Sequence, residues 1–312
     1  HFFYLCGIMY RFIQLGELKR KENDILKITN FNPVILQGAT KLNSGVYMDL
    51  FLLNNGRAFK MFKPPKHNNF LYQAAFGRYY NNTSRKLQLA DDIRDESVII
   101  TPDEVAVDDE KYVKGFYYDY DSTPSALDFF ATNPSEDEVN RFFLNLSNAV
   151  EKCHDKKVVA PDLNFGNILY DRNTGKISYI DYDGLQIGRV PTNVINSDIF
   201  YKQNPVLRKS KYSAPGGLYS KEIDTFSILV GYLAKTKGLN ISSLPEFQKL
   251  SGVERDDEEY MLLREKCLET LDSIGINDRE LADGYISLFS NKQVNPEPKK
   301  LIKRQFLYST NK

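Results

Sequence analysis

The sequence predicts an α+β fold in two parts, a small β-rich part followed by a larger, mostly helical one, and three observations carry that expectation. Between residues 33 and 120, short runs of β-branched and aromatic residues alternate with turn residues, with one helical stretch among them. After Asp121 apolar residues recur at helical spacing, and strand signals shrink to a few short runs. Hydrophobic residues are 42% and charged ones 26% of the 312 positions, which supports a packed core and excludes wholesale disorder. The resulting division is an N-terminal extension over 1–32, a first lobe over 33–120 and a second over 121–312.

The start, His1-Phe2-Phe3-Tyr4-Leu5-Cys6, has neither an initiator Met nor a basic segment, and reads as a truncated start rather than a signal peptide. Residues 9–31 contain the charged run Lys19-Arg20-Lys21-Glu22-Asn23-Asp24, expected on the solvated face of a helix. The runs 33–37 and 46–53 read as strands, Asn54-Asn55-Gly56 supplies a hairpin turn, and 57–62 returns as a strand. A helix is expected over 69–90, then strands over 105–107 and 112–120 around the acidic turn Asp108-Asp109-Glu110. Ser135 with Glu138 makes a capping box, after which Val139, Phe142, Phe143, Leu146, Val150 and Cys153 form an apolar helical stripe. Short strands over 168–170 and 177–180 flank the turn Asp171-Arg172-Asn173-Thr174-Gly175. Residues 185–218 read as loop and 223–233 as a buried helix. Two further helices are expected over 255–273 and 278–290, the second capped by Asn277, and 295–312 reads as a solvated basic tail.

Several function classes drop out at this point. The 41 basic and 41 acidic side chains cancel, which argues against a nucleic-acid partner bound through a basic field. No uncharged run approaches the length of a membrane span. Three widely spaced cysteines form no disulfide framework and no CxxC pair, which fits a reducing, cytoplasmic setting. Cys153 and Cys267 fall on apolar helical stripes and are expected in the core. Three histidines are too few for a multi-His metal site.

One stretch carries chemistry. Val158-Val159-Ala160-Pro161-Asp162-Leu163-Asn164-Phe165-Gly166-Asn167 sets a carboxylate and an amide five residues apart on a polar loop that runs into an apolar strand. Asp181 follows just after a second apolar strand, within Ile180-Asp181-Tyr182-Asp183-Gly184. Phosphoryl transfer from Mg·ATP needs such a set: one carboxylate to orient the attacking hydroxyl, and an amide oxygen with a second carboxylate to hold metal.

In this order and spacing the sequence resembles the protein kinase superfamily, over about residues 33–290. The resemblance implies a two-lobed protein kinase-like fold, with ATP and Mg²⁺ as cofactors. It implies Asp162 as catalytic base, Asn167 and Asp181 as metal ligands, and Asp183, which stands where the family has glycine, as the alternative ligand. Arg57-Ala58-Phe59-Lys60-Met61-Phe62 resembles the family's Val-Ala-Ile-Lys strand, with Ala58 against adenine and Lys60 on the phosphates. Gly38, Gly45 and Val46 fall in a glycine-poor version of the loop that covers the phosphates. Glu222-Ile223-Asp224-Thr225-Phe226-Ser227 resembles the helix start whose buried Asp ties down the catalytic-loop backbone, and Ser213-Ala214-Pro215-Gly216 falls where the family has Ala-Pro-Glu.

The departures are equally specific. Ala160-Pro161 replaces His-Arg, Gly216 replaces Glu, and residues 61–90 contain no Asp or Glu to anchor Lys60. The function expected is a divergent Ser/Thr kinase acting on a protein, with Thr192, Ser197, Ser210 and Ser213 as candidate autophosphorylation sites. The alternatives are a small-molecule phosphotransferase of the aminoglycoside or choline kinase type, and a catalytically weak pseudokinase scaffold.

Overall fold

The structure is a computed structural model and describes residues 2–5, 8–11, 26–63, 70–95, 97–161, 163–191, 213–214, 218–250, 258–290 and 297–310. Strands β1 (Phe2–Leu5) and β2 (Ile8–Arg11) pair antiparallel on their own. Then come β3 (Lys27–Asn30), β4 (Thr40–Ser44), β5 (Met48–Leu52), β6 (Arg57–Phe62), helix α1 (Phe70–Leu87), the single turn α2 (Ala90–Ile93), β7 (Glu104–Val107) and β8 (Val113–Asp119). Among the described residues, six of these strands form one mixed sheet in the order β3-β7-β8-β6-β5-β4, parallel only between β3 and β7. The expected helix over 9–31 is therefore corrected where it can be seen. Residues 9–11 and 27–30 are strands, and β3 extends the sheet that the sequence begins at residue 33.

Alternation along β6 sorts its side chains between the two sheet faces. Ala58 and Phe62 join the main core, whereas Phe59 and Met61 join a smaller cluster with Leu53, Ala106 and Tyr117 on the outer face. That outer face is covered by Ile35 and Leu36 from a 3₁₀ turn, Pro33–Leu36, in place of the expected strand. The reason is local. Asn32 caps the turn by accepting the Val34 N–H at 3.0 Å, and Pro33 pre-sets the backbone angle for its first position.

The helical part holds α3 (Ala126–Ala131), α4 (Glu136–Asp155), α5 (Glu222–Lys237), α6 (Pro245–Lys249), α7 (Glu258–Ser273), α8 (Arg279–Ser287) and α9 (Pro298–Thr310). The Ser135–Glu138 capping box starts α4 as expected, and a second box, Ser125 with Asp128, starts α3. Cys153 and Cys267 are both buried free thiols. Asp278, one residue beyond the expected Asn277, caps α8 by accepting the Leu281 N–H at 2.9 Å. The C-terminal segment is a packed helix rather than a solvated tail: Leu301 and Ile302 are buried, and Gln305 accepts the Tyr285 hydroxyl at 2.6 Å. No helix among the described residues is long and apolar enough to cross a membrane.

Candidate functional site

Between α4 and α5 the chain makes short strands around two loops. β9 (Val158–Val159) pairs with β12 (Gln186–Ile187), and β10 (Ile168–Tyr170) pairs with β11 (Ile177–Tyr179). These pairings bring the ends of the segments 160–167 and 180–185 side by side, joined by the Ile180 N–H donating to the Asn167 carbonyl at 3.1 Å. A connection from the sheet runs along the same place: the Tyr179 N–H donates to the Val98 carbonyl at 2.7 Å, and Ile100 bonds back to the Tyr179 carbonyl at 2.9 Å.

Asn164 shapes the first loop. Its side-chain oxygen accepts the Gly166 and Asn167 N–H groups at 2.8 and 3.1 Å, closing a 3₁₀ turn over Phe165–Asn167. Asp224, at the start of α5 and fully buried, accepts the Ala160 N–H at 3.2 Å and pairs with His154 Nε2 at 2.8 Å. The expected tie from that aspartate to the loop backbone is thus present, and His154 is a partner that the sequence reading passed over. The other carboxylate oxygen of Asp224 has no hydrogen-bond partner among the described residues. Pro161, which stands next to Ala160, has no N–H to offer it.

The second loop is a 3₁₀ turn over Tyr182–Gly184 with Asp181 at its head, closed by the Gly184 N–H on the Asp181 carbonyl at 2.9 Å. Tyr182 points into the core, fully buried, and its hydroxyl donates to the Lys86 carbonyl of α1. Asp181 and Asp183 point the other way, to Lys60. The Lys60 ammonium donates to Asp181 Oδ1 at 2.6 Å and to Asp183 Oδ1. Asp183 Oδ2 accepts the Tyr79 hydroxyl, and the Asp183 carbonyl accepts the Lys86 ammonium at 2.6 Å. Tyr79, Thr83 and Lys86 follow one another on one face of α1, so this helix reaches the loop with a phenol and an amine instead of a carboxylate.

Charge follows from this wiring. Burial works against the Lys60 ammonium, but the carboxylates of Asp181 and Asp183 outweigh it and raise its pKa above the ordinary lysine value. Burial and the neighbouring Asp183 push the Asp181 carboxyl up, whereas Lys60 and the Tyr79 hydroxyl overcome burial at Asp183 and hold it low. Burial also keeps the Tyr79 phenol protonated well past its usual range, so it remains a donor. Lys86, with no exposed surface, is pushed down to about 7 by burial, against the pull of Asp183 and Asp181.

These groups open on a cleft of about 680 Å³ between the sheet and the helical part. Gly45, Val46, Ala58, Lys60, Asn167, Asp181 and Asp183 all line it. Gly38 does not. It sits at a φ of +76° beside the β5–β6 hairpin, where a Cβ would lie 2.9 Å from the Asn54 side chain. The turn that faces the cleft is the one around Gly45, between β4 and β5. Asp162, Thr192, Ser197, Ser210, Pro215 and Gly216 lie outside the described residues, as does the side chain of Ser213. Tyr118, Asp119 and Asp121, where the chain leaves β8, also line the cleft and were not singled out from the sequence.

The walls differ in chemistry. Met48, Leu50, Ala58 and Leu169 contribute apolar surface to the lining, and Lys60, Asn167 and Asp181 contribute polar groups. Among the described residues no group of three or more His, Cys, Asp or Glu could hold a metal ion unaided. Asn167 and Asp181 offer the oxygen donors that Mg²⁺ takes, and Mg²⁺ commonly uses one or two such groups together with a substrate's phosphates. The donor set therefore fits a metal that arrives with a phosphate ligand. No model of a known protein family matches this chain, and no curated protein matches it.

Proposed function

We propose that the protein is a phosphotransferase with a two-lobed, protein kinase-like fold that moves the γ-phosphate of ATP to a hydroxyl, most simply a Ser or Thr of a protein. The observation that carries this reading is the convergence of Lys60, Asn167 and Asp181 on one cleft, although Lys60 and Asp181 stand 121 residues apart. A volume of about 680 Å³ lies in the range of small-ligand sites, on the order of 300–1,000 Å³. Its apolar lining suits a purine and its polar side chains a polyphosphate.

In this reading Lys60 supplies fixed positive charge to the phosphates, and Asn167 with Asp181 holds Mg²⁺. Bound there, Mg²⁺ supplies charge neutralisation for the phosphate oxygens. Asp162, assigned by the resemblance, takes the proton of the acceptor hydroxyl as the new O–P bond forms and the bond to the ADP oxygen breaks. The buried Asp224 holds the Ala160 backbone, two residues before Asp162, through its 3.2 Å bond.

The test is incubation with Mg²⁺ and γ-labelled ATP, alone and with a generic protein acceptor, read by label and by intact mass. A phosphate-sized mass gain that disappears in Asp162→Ala is the expected result. An adduct of nucleotide mass would redirect the activity to nucleotidyl transfer. ATP turnover only on addition of an amino-alcohol acceptor would redirect it to a small-molecule phosphotransferase.

A further inference from the structure

A lysine that must meet a polyphosphate needs a fixed partner, because its four-carbon stem is otherwise free to swing. Helix α1, which packs behind Lys60, cannot supply a carboxylate: residues 61–90 contain neither Asp nor Glu. What holds Lys60 instead is a pair of carboxylates on the loop, and the two are held very differently.

Asp183 is fixed on three sides. Its Oδ1 takes Lys60, its Oδ2 takes the Tyr79 hydroxyl, and its backbone carbonyl takes the Lys86 ammonium at 2.6 Å. Its side chain is 6% exposed. Tyr79 is itself packed against Tyr47 and Phe62, with ring centroids 4.8 and 6.0 Å away, so the hydroxyl is presented from a seated ring. Asp181, by contrast, gives Lys60 one oxygen at 2.6 Å, its side chain is 28% exposed, and its Oδ2 makes no hydrogen bond to the described residues.

We propose, resting on the phosphotransfer reading above, that Asp183 clamped by Tyr79 is the standing anchor that positions Lys60, and that Asp181 is the exchangeable partner left to the incoming ligand. The loop and α1 thereby do together what a helix carboxylate would do alone. Asp183 is then a positioning residue rather than a metal ligand, its two oxygens being used to hold Lys60 and Tyr79. Tyr79 couples the position of α1 to that of the loop, since moving the helix away withdraws the hydroxyl that orients Asp183.

The test reads Lys60 itself. Competitive acylation of the folded protein near pH 9, followed by peptide mass spectrometry, gives the reactivity of the Lys60 amine without any nucleotide. An amine held by its carboxylate partners is shielded from the reagent and one released from them is not, so the labelling reports how firmly Lys60 is held. Asp183→Asn is expected to raise Lys60 labelling by about tenfold or more, Tyr79→Phe by a few-fold, and Asp181→Asn by less than Asp183→Asn. Labelling in Asp181→Asn that equals or exceeds that in Asp183→Asn would overturn the assignment, as would unchanged labelling in Tyr79→Phe. Should Asp183→Asn fail to fold, Tyr79→Phe keeps the ring and its packing and decides the point against Asp181→Asn. A parallel arm adds Mg·ATP to the wild type. Protection of Lys60 is expected; no protection would overturn the nucleotide reading while the order of the three variants still judges the anchor.

Discussion

Asp183, which lines the cleft, and Asp224, buried behind the Ala160 backbone, are both buried carboxylates, yet they are wired in opposite ways. Asp183 has an ammonium and a phenol on its two oxygens and is held below the usual carboxylate range. Asp224 has His154 and the Ala160 N–H on one oxygen, nothing among the described residues on the other, and burial drives its pKa up. Burial alone raises any carboxyl. The contrast teaches that donors on both oxygens, the Lys60 ammonium and the Tyr79 hydroxyl, outweigh burial at Asp183, whereas His154 and the Ala160 N–H, crowded on one oxygen, do not outweigh it at Asp224.

The largest expected effect breaks the stronger wiring. Asp183→Ala leaves Lys60 with Asp181 alone and strands the Tyr79 hydroxyl, and should cost on the order of 3–5 kcal/mol of unfolding free energy by denaturant titration. Next comes Gly115→Ala on β8. An added Cβ would lie 2.5 Å from the Lys60 carbonyl and 2.6 Å from the Phe59 ring, so β6 must shift. A loss of about 1–3 kcal/mol is expected, together with weaker nucleotide binding.

The third effect is in pH. Lys86 titrates near 7 in the fold against an ordinary value of 10.5, so between those limits the unfolded chain holds a proton that the folded chain lacks. Stability should therefore rise with pH across that window, at up to about 1.4 kcal/mol per unit for this group. Lys86→Met should flatten that rise; an unchanged slope would show that another group is responsible. The smallest effect sharpens the comparison. Asp224→Asn keeps an oxygen for the Ala160 N–H and removes a charge that burial disfavours, so about 1 kcal/mol or less should be lost at pH 7. Sign distinguishes the two carboxylates on acidification. A lowered pKa makes Asp183 lose stabilisation as pH falls below the ordinary carboxylate value, whereas the raised pKa of Asp224 means its charge is already a burden above that value.

Much of this was legible in the sequence where one residue type has one physical use. The Ser135–Glu138 box, the Asn54-Asn55-Gly56 hairpin and the returning strand over 57–62 could be read directly. The order of Lys60, Asn167 and Asp181 pointed to residues that the fold brings to one cleft. Tyr79 and Lys86 were missed because a tyrosine on a helix is ordinarily core and a lysine ordinarily solvated. The available signal was Lys86 falling seven residues after Tyr79, on the face that packs. The tail was misread for the converse reason. Lys299 and Arg304 looked solvating, but they pair with Glu151, and with Asp278 and Glu280, while Leu301 and Ile302 between them go inside. Lys27–Asn30 is a strand only because β7 lies beside it, a partner some eighty residues away that local pattern cannot reveal.

The central claim, that this cleft takes Mg·ATP through Lys60 and Asp181, is tested most directly by calorimetric titration of Mg·ATP into the folded wild type, Lys60→Met and Asp181→Asn. Saturable binding is expected in the wild type. It should fall at least tenfold in Lys60→Met, and its dependence on Mg²⁺ should be lost in Asp181→Asn. A wild type that binds no nucleotide at millimolar concentration, or binding that both substitutions leave unchanged, would contradict the account.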